Sequence, residues 1–127
     1  MDRKKFEAIM ALDGPERIEH TMKRIADMEE LWGLYSDGWA TSAADDDETE
    51  MFPIWPDPEY AAASAEDEWA GYEPRSIPLD TFLNVFLPNF EEEGTLVSIF
   101  RLPSGVSVPV TAAIFREIIE MELQDYL

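Results

Sequence analysis

The sequence predicts a single α+β domain over residues 1–127, with β-hairpins forming a mixed or antiparallel sheet packed with about five helices. Three observations carry that prediction. Segments with apolar residues at helical spacing alternate with β-rich segments bounded by turn residues. The chain has 127 residues, 46% of them hydrophobic, which suits one core and is too short for two. No internal repeat and no long linker divides it.

Residues 1–28 read as a helical pair. Phe6, Ile9 and Met10 fall at helical spacing, and "DGPE" at 13–16 then interrupts the pattern. Asp13 suits an N-cap and Pro15 a first turn for a second helix with Ile18, Met22 and Ile25 on one stripe. Leu31, Trp32, Leu34 and Tyr35 suit a strand, Asp37-Gly38 a hairpin turn, and Trp39 to Ala43 the returning strand. "ADDDETE" after it reads as a solvated loop, because five adjacent carboxylates repel one another.

In "FPIWPDPEYA", Phe52 to Trp55 reads as a short extended segment at a sheet edge or strand end, since Pro53 lacks a donor. Asp57 reads as an N-cap and Pro58 as the first helical residue of a helix running to about Trp69. The clearest helix follows: Leu79, Phe82, Leu83, Phe86, Leu87 and Phe90 share one face, with Pro88 expected to kink or end it. "TLVSIFRL", "PSG" and "VSVPV" predict a second hairpin. Thr111 opens a last helix with Ile114, Phe115, Ile118, Ile119, Leu123 and Tyr126 toward the core.

Charge is the most informative part of the composition. The net charge is −19, yet residues 1–28 balance six basic against six acidic side chains. Residues 29–74 hold fourteen acidic side chains and no Lys or Arg; residues 75–127 hold eight acidic and three basic. A field of that sign opposes binding to nucleic acid and to anionic lipid. No cysteine is present, which excludes disulfides, thiolate metal sites and a cysteine nucleophile. With no apolar leader and no long apolar run, the expected location is the cytoplasm, with no membrane partner.

The stretches "LWGLYSDGWA", "FPIWPDPEYA" and "EWAGYEPRSIPLDTFLNVFLPNFEEEGTLVSIF" together resemble the bacterial family of unknown function numbered 2750. The likeness follows a W-x-L…GW hairpin, a P-x-W-P…YA turn and helix, an I-x-L-x-x-FL helix and a final hairpin. It runs from about Leu31 to Val110 and extends into the last helix, so that residues 29–127 form a family-like core behind the helical pair. Phe90 stands in a usually aliphatic slot, and the acidic loop is more acidic than the family pattern. A Pro-aromatic strand before an Ala-rich helix is more loosely similar to SseB-type domains. These resemblances imply an α+β fold and bring no catalytic residue or cofactor with them.

Residue chemistry narrows the sites. His20 is the only histidine, set among Glu16, Glu19 and Lys23 on a helix, which places it on a polar face. Transition-metal ligation lacks donors, and the acidic run lacks the spacing of a calcium loop, so neither metal nor cofactor is expected. Two readings remain. In the first, the chain is a protein-binding or regulatory module, immunity- or inhibitor-like, whose acidic face docks on a basic protein. Its contact residues would be Asp45, Asp46, Asp47, Glu48 and Glu50, with Trp55 beside them and partly exposed. In the alternative, it is an enzyme or small-ligand binder with an aromatic pocket at Trp55, Asp57, Trp69 and Tyr72. The first is preferred, and no catalytic residue is assigned.

Overall fold

Two capped helices begin the chain in the computed structural model, which describes residues 1–126. Asp2 accepts from the Lys5 amide ahead of α1 (Arg3–Met10), and Asp13 accepts from the Glu16 amide ahead of α2 (Gly14–Met28). Each carboxylate satisfies one of the donors a helix leaves unpaired at its start. α2 buries Met22 and Ile25 completely, whereas α1 contributes only half-buried Phe6, Ile9 and Met10.

β1 (Glu30–Tyr35) follows, but beyond the bridge at Tyr35 it forms no ladder with the residues after the Asp37-Gly38 turn. Its partner is β4 (Glu73–Pro78), antiparallel, with Trp32 opposite Ser76 and Tyr35 opposite Glu73. The expected turn does form: Asp37 has φ 57°, Tyr35 bridges Trp39, and the Ala40 amide donates to the Leu34 carbonyl at 2.8 Å. The chain then leaves, because the Trp39 ring turns inward over Gly33 to meet Phe52 and Phe86 at centroid distances of 5.7 and 5.9 Å. A β-carbon at Gly33 would lie 3.0 Å from that ring, which would have to give by a few tenths of an ångström to admit it. β4 was not anticipated; with two prolines and only Ile77 buried it carries little strand signal, as an edge strand can.

Ser42–Ala43 (β2) belongs to a second sheet of order β2-β3-β5-β6, with β3 at Glu50–Ile54, β5 at Leu96–Ile99 and β6 at Val108–Val110. The sheet is mixed: β3 runs parallel to β5, and the other two pairs are antiparallel. β3 is therefore an interior strand and not an edge one, with Pro53 near its end, the other position expected for it. Pro53 is tolerated there by alternation. Met51 faces β2 and Trp55 exchanges two backbone bonds with Trp32, at 2.8 and 2.9 Å. Pro53 shares their side of the strand, so its donorless nitrogen points into the gap between β2 and β1, leaving Phe52 and Ile54 to face β5.

α3 (Pro58–Ala63) is shorter than expected, and a single 3₁₀ turn, Asp67–Trp69, follows it. Nine residues of continuous α-helix would rotate Trp69 about 180° from Tyr60. Both are buried, so the helix must break.

α4 (Leu79–Thr81), a π turn (Phe82–Phe86) and α5 (Leu87–Glu93) run on as one helix. Pro88 does not end it. The Leu87 amide donates to the Phe82 carbonyl, five residues back, and the widened turn accommodates the proline ring. Two donors that could reach the Leu83 carbonyl are thus removed, one diverted and one lacking in proline; the Arg116 guanidinium supplies a replacement. The β5–β6 hairpin forms as expected, and Thr111 accepts from the Ile114 amide to start α6 (Ala112–Leu123). Phe115 and Ile119 are fully buried, and Ile118 and Leu123 pack at the core's margin. Ile114 is 45% exposed, against expectation, since it lies about 100° around the helix from Phe115. The side chain of Tyr126, also assigned to that face, lies outside the described residues.

One continuous core results, with Phe52, Phe82, Phe86 and Phe90 from the sheet and long helix meeting Phe115 from α6. The architecture is α+β.

Candidate functional site

The acidic run is the turn of the β2–β3 hairpin. Ala44 donates to the Thr49 carbonyl at 2.8 Å, and Asp47 sits at φ 58° to close the loop. Asp46 organises it. Its carboxylate accepts from the Thr49 amide (2.8 Å), the Glu48 amide (3.0 Å) and the Thr49 hydroxyl (2.8 Å). The Thr49 amide foremost, then these other donors, holds its pKa below the ordinary aspartate value. Asp46 is thus spent on the turn, whereas Asp45, Asp47, Glu48 and Glu50 are exposed and pair with no Lys or Arg among the described residues.

The turn stands between two depressions. On one side a groove of about 500 Å³ has an apolar floor of Met51, Leu96, Val106 and Pro109, rimmed by Asp45 and Asp46. On the other, a hollow of about 310 Å³ gathers Asp47, Glu48 and Glu50 with Glu68 from the 3₁₀ turn. Neither lining contains a Lys or Arg. Glu68 is a member of the acidic surface that local sequence could not show, since it arrives from another element.

Trp55, expected partly exposed beside this loop, is completely buried. It stands at the far end of β3 from Glu50, about 17 Å along the strand. Its indole Nε1 donates to the Arg101 carbonyl at 2.9 Å. The other three residues of the expected aromatic pocket do not all converge on it. Trp69 packs edge-on against Trp55, with centroids 6.4 Å apart. Asp57 turns the opposite way, accepting from Arg24 Nε at 3.1 Å and Nη2 at 3.0 Å, and makes no side-chain cap for α3. Tyr72 is half-buried at the core's edge.

Of that set, Trp69 lines an open cleft of about 150 Å³, shared with Ser64, Glu66, Asp67, Glu68 and Arg101. The Arg101 guanidinium carbon lies 4.4 Å from the Trp69 ring centroid. Arg101 escaped sequence reasoning; its one signal was a lone basic residue inside a β-rich run.

His20 is half-buried and meets Tyr60 edge-on at 6.4 Å, rather than standing free on a polar face. Burial foremost pushes its pKa down; Lys5 and Arg24 add to that, and Asp57 opposes it. Its Nε2 and the buried Tyr60 hydroxyl have no hydrogen-bond partner. Burial, with Asp57 and Glu59 nearby, pushes the Tyr60 phenol up to about 12. Among the described residues no cluster of three or more His, Asp or Glu is arranged to hold a metal ion, and no helix is long and apolar enough to cross a membrane.

No curated protein and no solved structure matches the chain, so the looser likeness to SseB-type domains has no counterpart there. A family model does match, from within α2 to within α6, and covers both sheets, the acidic turn and the Trp69–Arg101 cleft. That model, for proteins of unknown function DUF2750, spans residues 18–119, and the chain belongs to this family.

Proposed function

We propose that the chain is a protein-binding or regulatory module that docks on a basic protein through its acidic turn, in the manner of an immunity protein or inhibitor. The observation that supports this most is the turn itself. Asp45, Asp47, Glu48 and Glu50 are unpaired with any base among the described residues, and Glu68 extends their field. Opposite charge speeds encounter and rejects wrong partners, and the apolar floor beside Asp45 offers area for a short-range contact. Trp55 has no part in this contact because it is buried. The alternative, a small-ligand site at the tryptophans, narrows to the cleft in front of Trp69.

The test is a tagged pull-down washed at low salt and then at about 0.5 M, where exposed charge pairs are strongly screened. The control bait carries Asp45→Asn, Asp47→Asn, Glu48→Gln and Glu50→Gln, with Asp46 retained to keep the turn. One basic protein, near stoichiometric, released by salt and missed by the control bait is the expected result. Capture that survives the four substitutions, or no capture at either salt, refutes the reading.

A further inference from the structure

The cleft in front of Trp69 has the properties of a built site. Arg101 is fixed from behind, its carbonyl accepting from Trp55 Nε1 at 2.9 Å and from the buried Ser64 hydroxyl at 3.1 Å. Phe100, just before it, is fully buried at φ 50°, a conformation that a bulky residue adopts only when its surroundings impose it. The guanidinium then lies over the Trp69 ring, and Trp69 is itself held by Trp55. Its position is therefore set before any ligand arrives, which lowers the ordering cost of binding.

The charges in the cleft are separated. Glu66, Asp67 and Glu68 line it together with Arg101, yet Arg101 forms no ion pair with them or with any other carboxylate among the described residues. A simple anion would face three carboxylates, and a simple cation would face the guanidinium. A small molecule carrying both charges answers both sides. The volume, about 150 Å³, is near five waters' share of liquid and below the roughly 300 Å³ at which drug-sized pockets begin. Leu102 and Pro103 add an apolar wall for a short side chain.

We infer that this cleft binds a small α-amino acid, with its carboxylate on Arg101 and its ammonium on the carboxylates of Glu66, Asp67 and Glu68. The inference shares Glu68 with the acidic-turn reading, but Arg101 and Trp69, which carry its carboxylate half, belong to neither depression beside that turn, so amino-acid binding and capture of a basic protein are read separately.

The experiment titrates the full chain with L-alanine, L-serine and L-threonine separately, following tryptophan fluorescence and melting temperature. Sodium acetate and methylammonium chloride serve as single-charge controls. Saturable quenching and a raised melting temperature with at least one amino acid, and with neither control, are expected. Affinity should fall about tenfold or more in Arg101→Gln, and likewise in Glu66→Gln/Glu68→Gln, whose exposed positions leave folding intact. Circular dichroism verifies the Arg101 variant, and the double variant decides the matter if that one fails to fold. No saturation by any of the three up to about 20 mM, an equal response to acetate or methylammonium, or unchanged binding in the double variant overturns the inference.

Discussion

Arg116→Met removes the guanidinium that serves the Leu83 carbonyl while keeping an unbranched apolar stem. That carbonyl has lost its ordinary donors: the Leu87 amide is committed to Phe82, and Pro88 has none. A hydrogen bond from a charged donor contributes about 1.5–3 kcal/mol, and a stranded buried acceptor costs about 1–3 kcal/mol. The Arg116 side chain is 31% exposed, so water recovers part of this, and a loss of about 1–2 kcal/mol is expected. The exposed pair with Glu120, at 3.9 Å, adds no more than about 0.5 kcal/mol. In urea, with a slope of about 1–3 kcal/mol per molar, the unfolding midpoint should fall by roughly 0.5–1 M. The decisive measurement is the cycle with Pro88→Ala, which restores an amide five residues after Leu83. Arg116→Met should cost about 1 kcal/mol less in that background. Additive losses, with no coupling between Arg116 and Pro88, would refute the claim that the arginine replaces the donor the proline lacks.

Three further outcomes follow from the packing and the charges. Gly33→Ala puts a β-carbon 3.0 Å from the Trp39 ring and should destabilise by about 1–3 kcal/mol with a red shift in tryptophan emission; wild-type stability would show that the ring yields freely. Asp57→Asn weakens the pair with Arg24 and should cost about 1–2 kcal/mol by urea unfolding, below the fully buried range because the Arg24 side chain is 38% exposed. His20 has a folded pKa below its unfolded value of about 6.5, so the unfolded chain binds the proton more readily. Its contribution to stability is complete above about pH 6.5, falls as pH drops toward the folded pKa, and levels off below it. His20→Phe should flatten that part of a stability profile measured between about pH 5 and 8; an unchanged slope there would exclude His20 as its origin.

What was legible in the sequence follows the range of each interaction. The caps at Asp13 and Thr111, the apolar faces of α2 and the long helix, and the turn at Asp37-Gly38 were readable because their partners lie within four residues. The acidic turn was readable because adjacent carboxylates cannot be buried together. Asp57 misled because its backbone does take the N-cap conformation before Pro58, while its carboxylate reaches Arg24, thirty-three positions away in the chain. Trp55 misled because prolines flank it at an expected sheet edge or strand end, whereas its backbone bonds to Trp32 and its side chain is completely buried.

By itself, then, the sequence determined the fold class, the separation of an acidic middle from a neutral start, and the membership that residues 18–119 record. Tertiary structure alone decided that β1 pairs with β4, that β3 lies parallel beside β5, that Glu68 joins the acidic turn, and that Arg101 comes to rest over Trp69. The reason is that every extended segment offers the same ladder of amides and carbonyls. Backbone hydrogen bonding cannot choose among partners, so the choice falls to which aromatic faces can be buried together, and that is settled only when the whole chain packs.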